Sequence, residues 1–171
     1  DSVGTLDRYL TPFYENDIAN GTITENEAKE YLQELFLMLQ ACTHVGSPHF
    51  TRGGESHFCI GGYLPNGEDG FNDLSKLILE SLTDLPTWIP QVTFRWTAKT
   101  PRETLRYVMD LERKDPHKRI AFQNDEKRIK CYTEICGFPF EKAVAYTTVG
   151  CNEPAFLGAI TGSNSKINFL R

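Results

Sequence analysis

The sequence predicts an α/β fold in which an N-terminal helical pair is followed by alternating strands and helices. Two observations carry this. The first forty residues hold apolar positions at helical spacing with capping signals. From residue 57 onward, short strand-like runs are separated by capped, amphipathic segments, an order that suits a parallel sheet with helical crossovers. With 40% hydrophobic and 12% aromatic residues, a chain of 171 residues can bury a core. No internal repeat or linker divides it, so residues 1–171 are taken as a single domain or as a fragment of a larger one.

The first helix is expected over residues 6–18, where Leu6, Leu10, Phe13, Tyr14 and Ile18 form a stripe and Asn20-Gly21 is a stop. Thr24 and Glu27 have capping-box spacing, and Ala28, Tyr31, Leu32, Leu35, Phe36 and Leu39 follow as one apolar face. Residues 43–55 read as a loop, His57 to Ile60 as a strand closed by Gly61-Gly62, and Pro65 to Gly70 as a dense turn. Asn72 caps a third helix bearing Leu74, Leu77, Ile78 and Leu82. Gln91 to Thr97 alternates strictly, with Val92, Phe94 and Trp96 on one face and Thr93, Arg95 and Thr97 on the other. Thr100-Pro-Arg-Glu103 repeats the capping box ahead of a helix whose buried stripe is Leu105, Val108 and Met109. Arg119 to Gln123 is a strand, and Asn124-Asp125 opens a helix with Ile129, Tyr132 and Ile135 on one face and Gly137 as its stop. Pro139 to Tyr146 makes a short helix ahead of a strand, Thr147 to Cys151.

Composition narrows the function classes. Eighteen basic against 23 acidic side chains leave a formal charge of −5, which disfavours a nucleic-acid binder. No apolar run reaches the length of a membrane helix, and the N-terminal residues have no signal-peptide pattern. Five cysteines, an odd number, favour free thiols and a reducing compartment, hence the cytoplasm.

The sharpest chemical feature is Gly150-Cys-Asn-Glu-Pro154, a cysteine at a strand end with a carboxylate two residues on. In an extended turn the thiol of Cys151 and the carboxylate of Glu153 share one side, a geometry suited to a sulfur that abstracts hydrogen beside a base. Spacing alone fits equally a buried structural cysteine next to a surface glutamate. His44, His49, His57 and His117 lack a local context that would pair any of them with a nucleophilic cysteine. Residues 51–62 are glycine-rich without a phosphate-loop ending, and neither the cysteine nor the histidine spacings suit zinc, so no metal and no directly bound cofactor is expected. Arg113 to Arg119 reads as a solvated basic turn.

Several ordered motifs together resemble the glycyl radical enzymes, the superfamily of pyruvate formate-lyase and glycerol dehydratase-like proteins. They are Asp7-Arg-Tyr-Leu-Thr-Pro-Phe-Tyr14 with Asp17 and Gly21, Gly61-Gly62, Pro65-Asn-Gly-Glu-Asp-Gly-Phe-Asn-Asp-Leu-Ser75, Phe122-Gln-Asn-Asp125, Gly137-Phe-Pro-Phe-Glu141, Ala143 and Gly150-Cys-Asn-Glu-Pro154. Nearly the whole chain takes part. The resemblance implies part of a ten-stranded barrel with the cysteine loop inside it. It further implies that Cys151 becomes a thiyl radical, with Glu153 as the neighbouring acid/base and Phe156, Leu157 and Asn164 as candidate substrate-pocket residues.

The family's radical-bearing glycine loop does not occur in these residues, so the resemblance makes the chain a central segment, inactive alone and in need of the remainder of the barrel. The stored glycyl radical would sit on that missing segment, installed by an S-adenosylmethionine-dependent iron-sulfur activating enzyme, and the full enzyme is allowed to be a homodimer. Asn152 stands where a formate C-acetyltransferase has a second cysteine, so an anaerobic lyase or dehydratase acting on a small polar molecule is favoured over that alternative. No aspartate follows in Thr161-Gly-Ser-Asn-Ser165, which weakens an assignment to glycerol or propanediol. A catalytically inactive binding or assembly module keeping the enzyme-like fold is the alternative from another class.

Overall fold

Alternation along one strand organises the molecule. Val92 and Phe94 project to one face of the sheet and Thr93 and Arg95 to the other, and all four are buried. The computed structural model describes residues 2–41, 56–150 and 152–156. In chain order these form β1 (Ser2–Thr5), α1 (Leu6–Ala19), α2 (Glu25–Ala41), β2 (His57–Gly61), α3 (Asp73–Thr83), β3 (Gln91–Trp96) and α4 (Arg102–Lys114). They continue as β4 (Ile120–Asn124), α5 (Asp125–Glu134), α6 (Phe140–Ala143), β5 (Tyr146–Val149) and β6 (Glu153–Phe156). The first four strands make one parallel sheet in the order β1-β2-β3-β4. β5 and β6 form a separate antiparallel pair that packs on β1 and β2. The expected loop at residues 43–55 lies outside the described residues, as do Cys151, Leu157 and Asn164.

The apolar face of the sheet, with Phe58, Ile60, Val92, Phe94 and Ile120, is covered by Leu32 and Phe36 of α2, Leu74, Ile78 and Leu82 of α3, and Val108 of α4. Phe36 stacks on Phe58 with ring centroids 5.5 Å apart. A second apolar cluster gathers Ile129, Tyr132, Ala143, Val144 and Tyr146, with Phe138, Phe140 and Phe156 against it. The opposite face of the sheet is polar: His57, Cys59, Thr93 and Arg95 are fully buried there. Parallel strands are ordinarily covered on both faces, and here the β5–β6 pair covers the polar one, through contacts such as Thr148 to Thr93 and Arg95 to Tyr146.

Of the two expected capping boxes one forms, and the expected cap at Asn72 forms as well. Glu27 accepts from the Thr24 backbone N–H while its own N–H donates to Thr24 Oγ1. Asn72 and Ser75 close a reciprocal box at α3. At α4 the expected box does not form. Thr100 Oγ1 donates to Asp69 and accepts from the Thr97 N–H, so the hydroxyl serves the preceding turn and the helix begins at Arg102. Met109, assigned to a buried stripe, is 60% exposed, and other positions on the expected apolar faces are also in water: Phe13, Tyr31 and Ile135, the last beyond the final turn of α5. The basic turn also differs from expectation. Arg119 is buried, makes a bidentate pair with Asp115 at 2.9 and 3.0 Å and donates to Thr87 Oγ1 at 2.9 Å.

Asp7, in the first turn of α1, joins three elements. Its Oδ2 accepts from the Gly61 N–H at 2.7 Å and from Ser75 Oγ at 2.6 Å. Burial pushes its pKa up to about 6. Because the folded value exceeds the unfolded one, the chain binds more protons folded than unfolded between them. The stabilising contribution of the protonated form is complete below about pH 4 and is lost as pH rises through 6. Asp7→Asn keeps a carbonyl acceptor and has no charge to bury. Relative to that variant, the native chain is expected to lose ~2 kcal/mol of stability between about pH 4 and 8, measured by urea unfolding. A difference independent of pH would contradict this account of Asp7.

Candidate functional site

β5 and β6 pair with Val149 opposite Glu153, so residues 150–152 make the connecting turn. Both described turn residues are left-handed, Gly150 at φ +52° and Asn152 at φ +81°. The sequence reading placed a strand ending in cysteine within a parallel sheet. The structure instead makes it one arm of an antiparallel hairpin, since a three-residue turn can join antiparallel strands only. A Cβ at Gly150 would lie 2.8 Å from Glu153 Oε2, the far end of a flexible side chain that would then have to shift from its place over the turn.

Glu153 is half-buried, and its Oε2 is shielded from water without a hydrogen-bond partner among the described residues. Buried carboxylate oxygens ordinarily find a donor, which marks this one as available to a group not among these side chains. Phe156, expected in the pocket, packs edge-on against Tyr132 at 5.1 Å and Phe138 at 5.2 Å in the second cluster. Asn164 and Cys151 fall outside the described residues, although Gly150 and Asn152 on either side of Cys151 are placed.

Beneath the turn lies a buried polar layer. His57 Nδ1 is 3.0 Å from the Gly150 carbonyl oxygen and its Nε2 is 2.6 Å from Thr93 Oγ1. Thr93 Oγ1 is also 2.6 Å from Asn152 Oδ1 and accepts from Thr148 Oγ1 at 3.0 Å. Cys59 Sγ, a buried free thiol, accepts from the Thr148 N–H at 3.3 Å. The sequence signal for this layer was the polar half of the β3 alternation and the His57 and Cys59 positions of β2. It indicated a face, but not that the face was buried.

The hairpin is tied to the sheet by a charge pair. Arg95 Nε donates to Asp125 Oδ1 at 3.0 Å and Nη2 to Oδ2 at 2.8 Å, both side chains fully buried. Two of the three remaining guanidinium hydrogens reach the carbonyls of Tyr146 at 2.8 Å and Val144 at 3.0 Å, and the cation lies 3.9 Å from the Tyr146 ring centroid. Asp125 accepts two more bonds, from Tyr146 Oη at 2.5 Å and the Tyr63 N–H at 2.9 Å. Gly62 gives this pair its room: a Cβ there would stand 2.6 Å from Asp125 Oδ2 and 2.7 Å from Arg95 Nε.

Comparison with known proteins bears on what this arrangement serves. A family model described as pyruvate formate lyase-like matches residues 2–171. The chain is 34% identical to isethionate sulfite-lyase of Nitratidesulfovibrio vulgaris, with 98% of the chain aligned to 21% of that protein. It is 30% identical to trans-4-hydroxy-L-proline dehydratase of Clostridioides difficile, over 91% of the chain and 20% of that protein. The crystal structure of a glycyl radical enzyme from Archaeoglobus fulgidus matches 92% of the chain and 21% of its own, with TM-score 0.80 and 26% identity. The chain thus spans about a fifth of the length of the curated relatives it matches.

Removing one partner of the buried pair leaves an uncompensated charge. Asp125→Ala is expected to destabilise the chain by about 3–5 kcal/mol in urea unfolding, whereas the double change Arg95→Met with Asp125→Leu recovers most of that loss. A loss under about 1 kcal/mol for Asp125→Ala would show that the pair does not hold the hairpin.

Proposed function

Because the chain belongs to the pyruvate formate lyase-like family of glycyl radical enzymes, we propose that it is the cysteine-loop segment of an anaerobic lyase or dehydratase in which Cys151 removes a hydrogen atom from substrate. The observation that carries the reading is Glu153 Oε2, two residues on from Cys151, folded over Gly150 and buried without a hydrogen-bond partner among the described residues. The full enzyme would complete a ten-stranded barrel around this sheet and hairpin.

The chemistry divides between two side chains. In its thiyl form, Cys151 forms an S–H bond as a substrate C–H bond breaks homolytically, leaving the unpaired electron on carbon. The Glu153 carboxylate takes the proton of a neighbouring hydroxyl, and the adjacent carbon-heteroatom bond breaks with its electron pair leaving on the departing group. The thiol then returns its hydrogen atom to the product radical. A glycyl radical on a segment outside this chain supplies the unpaired electron, installed by an S-adenosylmethionine-dependent iron-sulfur activating enzyme.

The substrate class is a small hydroxylated molecule. Isethionate, hydroxyproline and sulfopropanediol, which appear in the names of the relatives, all carry a hydroxyl group. Asn152 in place of a second cysteine argues against an acyl relay of the formate acetyltransferase kind. The reading also carries a cytoplasmic, anaerobic setting.

Turnover by the natural full-length gene product, activated anaerobically, tests the assignment. Cys151→Ser is expected to abolish it while the glycyl radical signal in electron paramagnetic resonance persists, because an O–H bond is much harder to break homolytically than S–H. Glu153→Gln is expected to lower kcat by roughly 10²–10⁴. Turnover retained by Cys151→Ser would remove Cys151 from the mechanism, and turnover by the isolated 171-residue chain would overturn the segment reading.

A further inference from the structure

His57 touches the cysteine turn from below, and the protons around it can be counted. It is fully buried, with Nδ1 3.0 Å from the Gly150 carbonyl oxygen and Nε2 2.6 Å from Thr93 Oγ1. A carbonyl oxygen only accepts, so Nδ1 carries a hydrogen. A neutral imidazole then has a bare Nε2, and the single proton of the Thr93 hydroxyl goes to it. The two lone pairs of Thr93 Oγ1 are left for its other neighbours, Thr148 Oγ1 at 3.0 Å and the Asn152 carboxamide at 2.6 Å. Having given its proton to Thr93, Thr148 Oγ1 accepts the S–H of Cys59, 3.2 Å away.

Every donor in this set is used once, in one direction: Cys59 to Thr148, Thr148 to Thr93, Thr93 to His57, His57 to Gly150. The count has one further requirement. Asn152 must present its NH₂ to Thr93, a half-turn of the carboxamide from the orientation with Oδ1 toward the hydroxyl. The competing arrangement is an imidazolium that donates from both nitrogens and lets Thr93 donate to Asn152 Oδ1. Burial pushes the His57 pKa below its ordinary value, against the opposing pull of the Gly150 carbonyl and the Glu153 carboxylate. Among the described residues His57 makes no ion pair that would hold that charge.

We propose that His57 is the positioning residue of the cysteine turn: as a neutral, Nδ1-protonated imidazole it holds the Gly150 carbonyl directly and the Asn152 carboxamide through Thr93, clamping both residues that flank Cys151. Its relevance to catalysis rests on the assignment of Cys151 above; the clamp itself does not.

Two measurements on the natural full-length gene product test the clamp. Neutron diffraction from perdeuterated crystals is expected to place deuterium on His57 Nδ1 and not on Nε2, with the Asn152 ND₂ group toward Thr93. Deuterium on Nε2, alone or on both nitrogens, would overturn the proposal. Alkylation of Cys151 by iodoacetamide, followed by mass spectrometry of its peptide, separates clamping from simple packing. His57→Asn, whose amide nitrogen overlays Nδ1, is expected to react within about twofold of native. His57→Gln, whose amide overlays Nε2, and His57→Ala should react about tenfold faster through local opening of the turn. Equal rates for Asn and Gln variants would overturn it. If the deuterium and alkylation results hold while Cys151→Ser retains turnover, the clamp stands and the catalytic assignment falls; the converse pair of outcomes removes the clamp alone.

Discussion

The buried pair of Arg95 and Asp125 is the constraint on which the arrangement of this molecule depends. Two charges inside a protein are tolerated only when each is matched and its remaining hydrogen-bonding capacity is filled. Here Arg95 of β3 meets Asp125 at the start of α5 and gives two further hydrogens to the carbonyls of Val144 and Tyr146, at the entry to β5. Asp125 in turn receives Tyr146 Oη and the Tyr63 N–H. One sheet strand, one helix start, one turn and the hairpin are thereby held in a single register. Gly62 leaves the space that the pair occupies.

From that register follows the division of the sheet into two faces with different work. The apolar face, closed by α2, α3 and α4, supplies burial and needs only hydrophobic side chains of suitable volume. The polar face holds His57, Cys59, Thr93 and Arg95 away from water, and such groups must be paired individually. Most of them are paired with the hairpin, so burying them both satisfies them and fixes the turn at residues 150–152. Glu153 Oε2 on the hairpin is buried and unpartnered among the described residues, as are Arg8 Nε and Tyr132 Oη.

Much of this was legible in the sequence, and the failures have physical causes. The parallel core strands β2, β3 and β4 and the caps at Thr24 and Asn72 were readable because short-range spacing specifies them. β1 escaped notice because its four residues include Gly4 and carry no alternation; it exists through pairing with β2. The antiparallel pairing of β5 and β6 was hidden because the turn between them depends on two left-handed residues, and Asn152 announces that conformation less plainly than glycine does. Arg119 was read as part of a solvated turn, and Arg95 only as one residue of a polar strand face, because their partners, Asp115 and Asp125, are chosen by tertiary structure. The Gly-Cys-Asn-Glu-Pro motif pointed to the turn, while the histidine beneath it, 93 residues away in sequence, had no local signature.

The most direct test of the central claim, that this fold delivers Cys151 and Glu153 to one reaction chamber, is a crystal structure of the natural full-length protein with its substrate bound. The account predicts Cys151 Sγ and the Glu153 carboxylate lining the same substrate-filled cavity, with Glu153 Oε2 bonded to a substrate hydroxyl. A Cys151 side chain packed among aliphatic neighbours, with Glu153 turned away from the substrate, would contradict it.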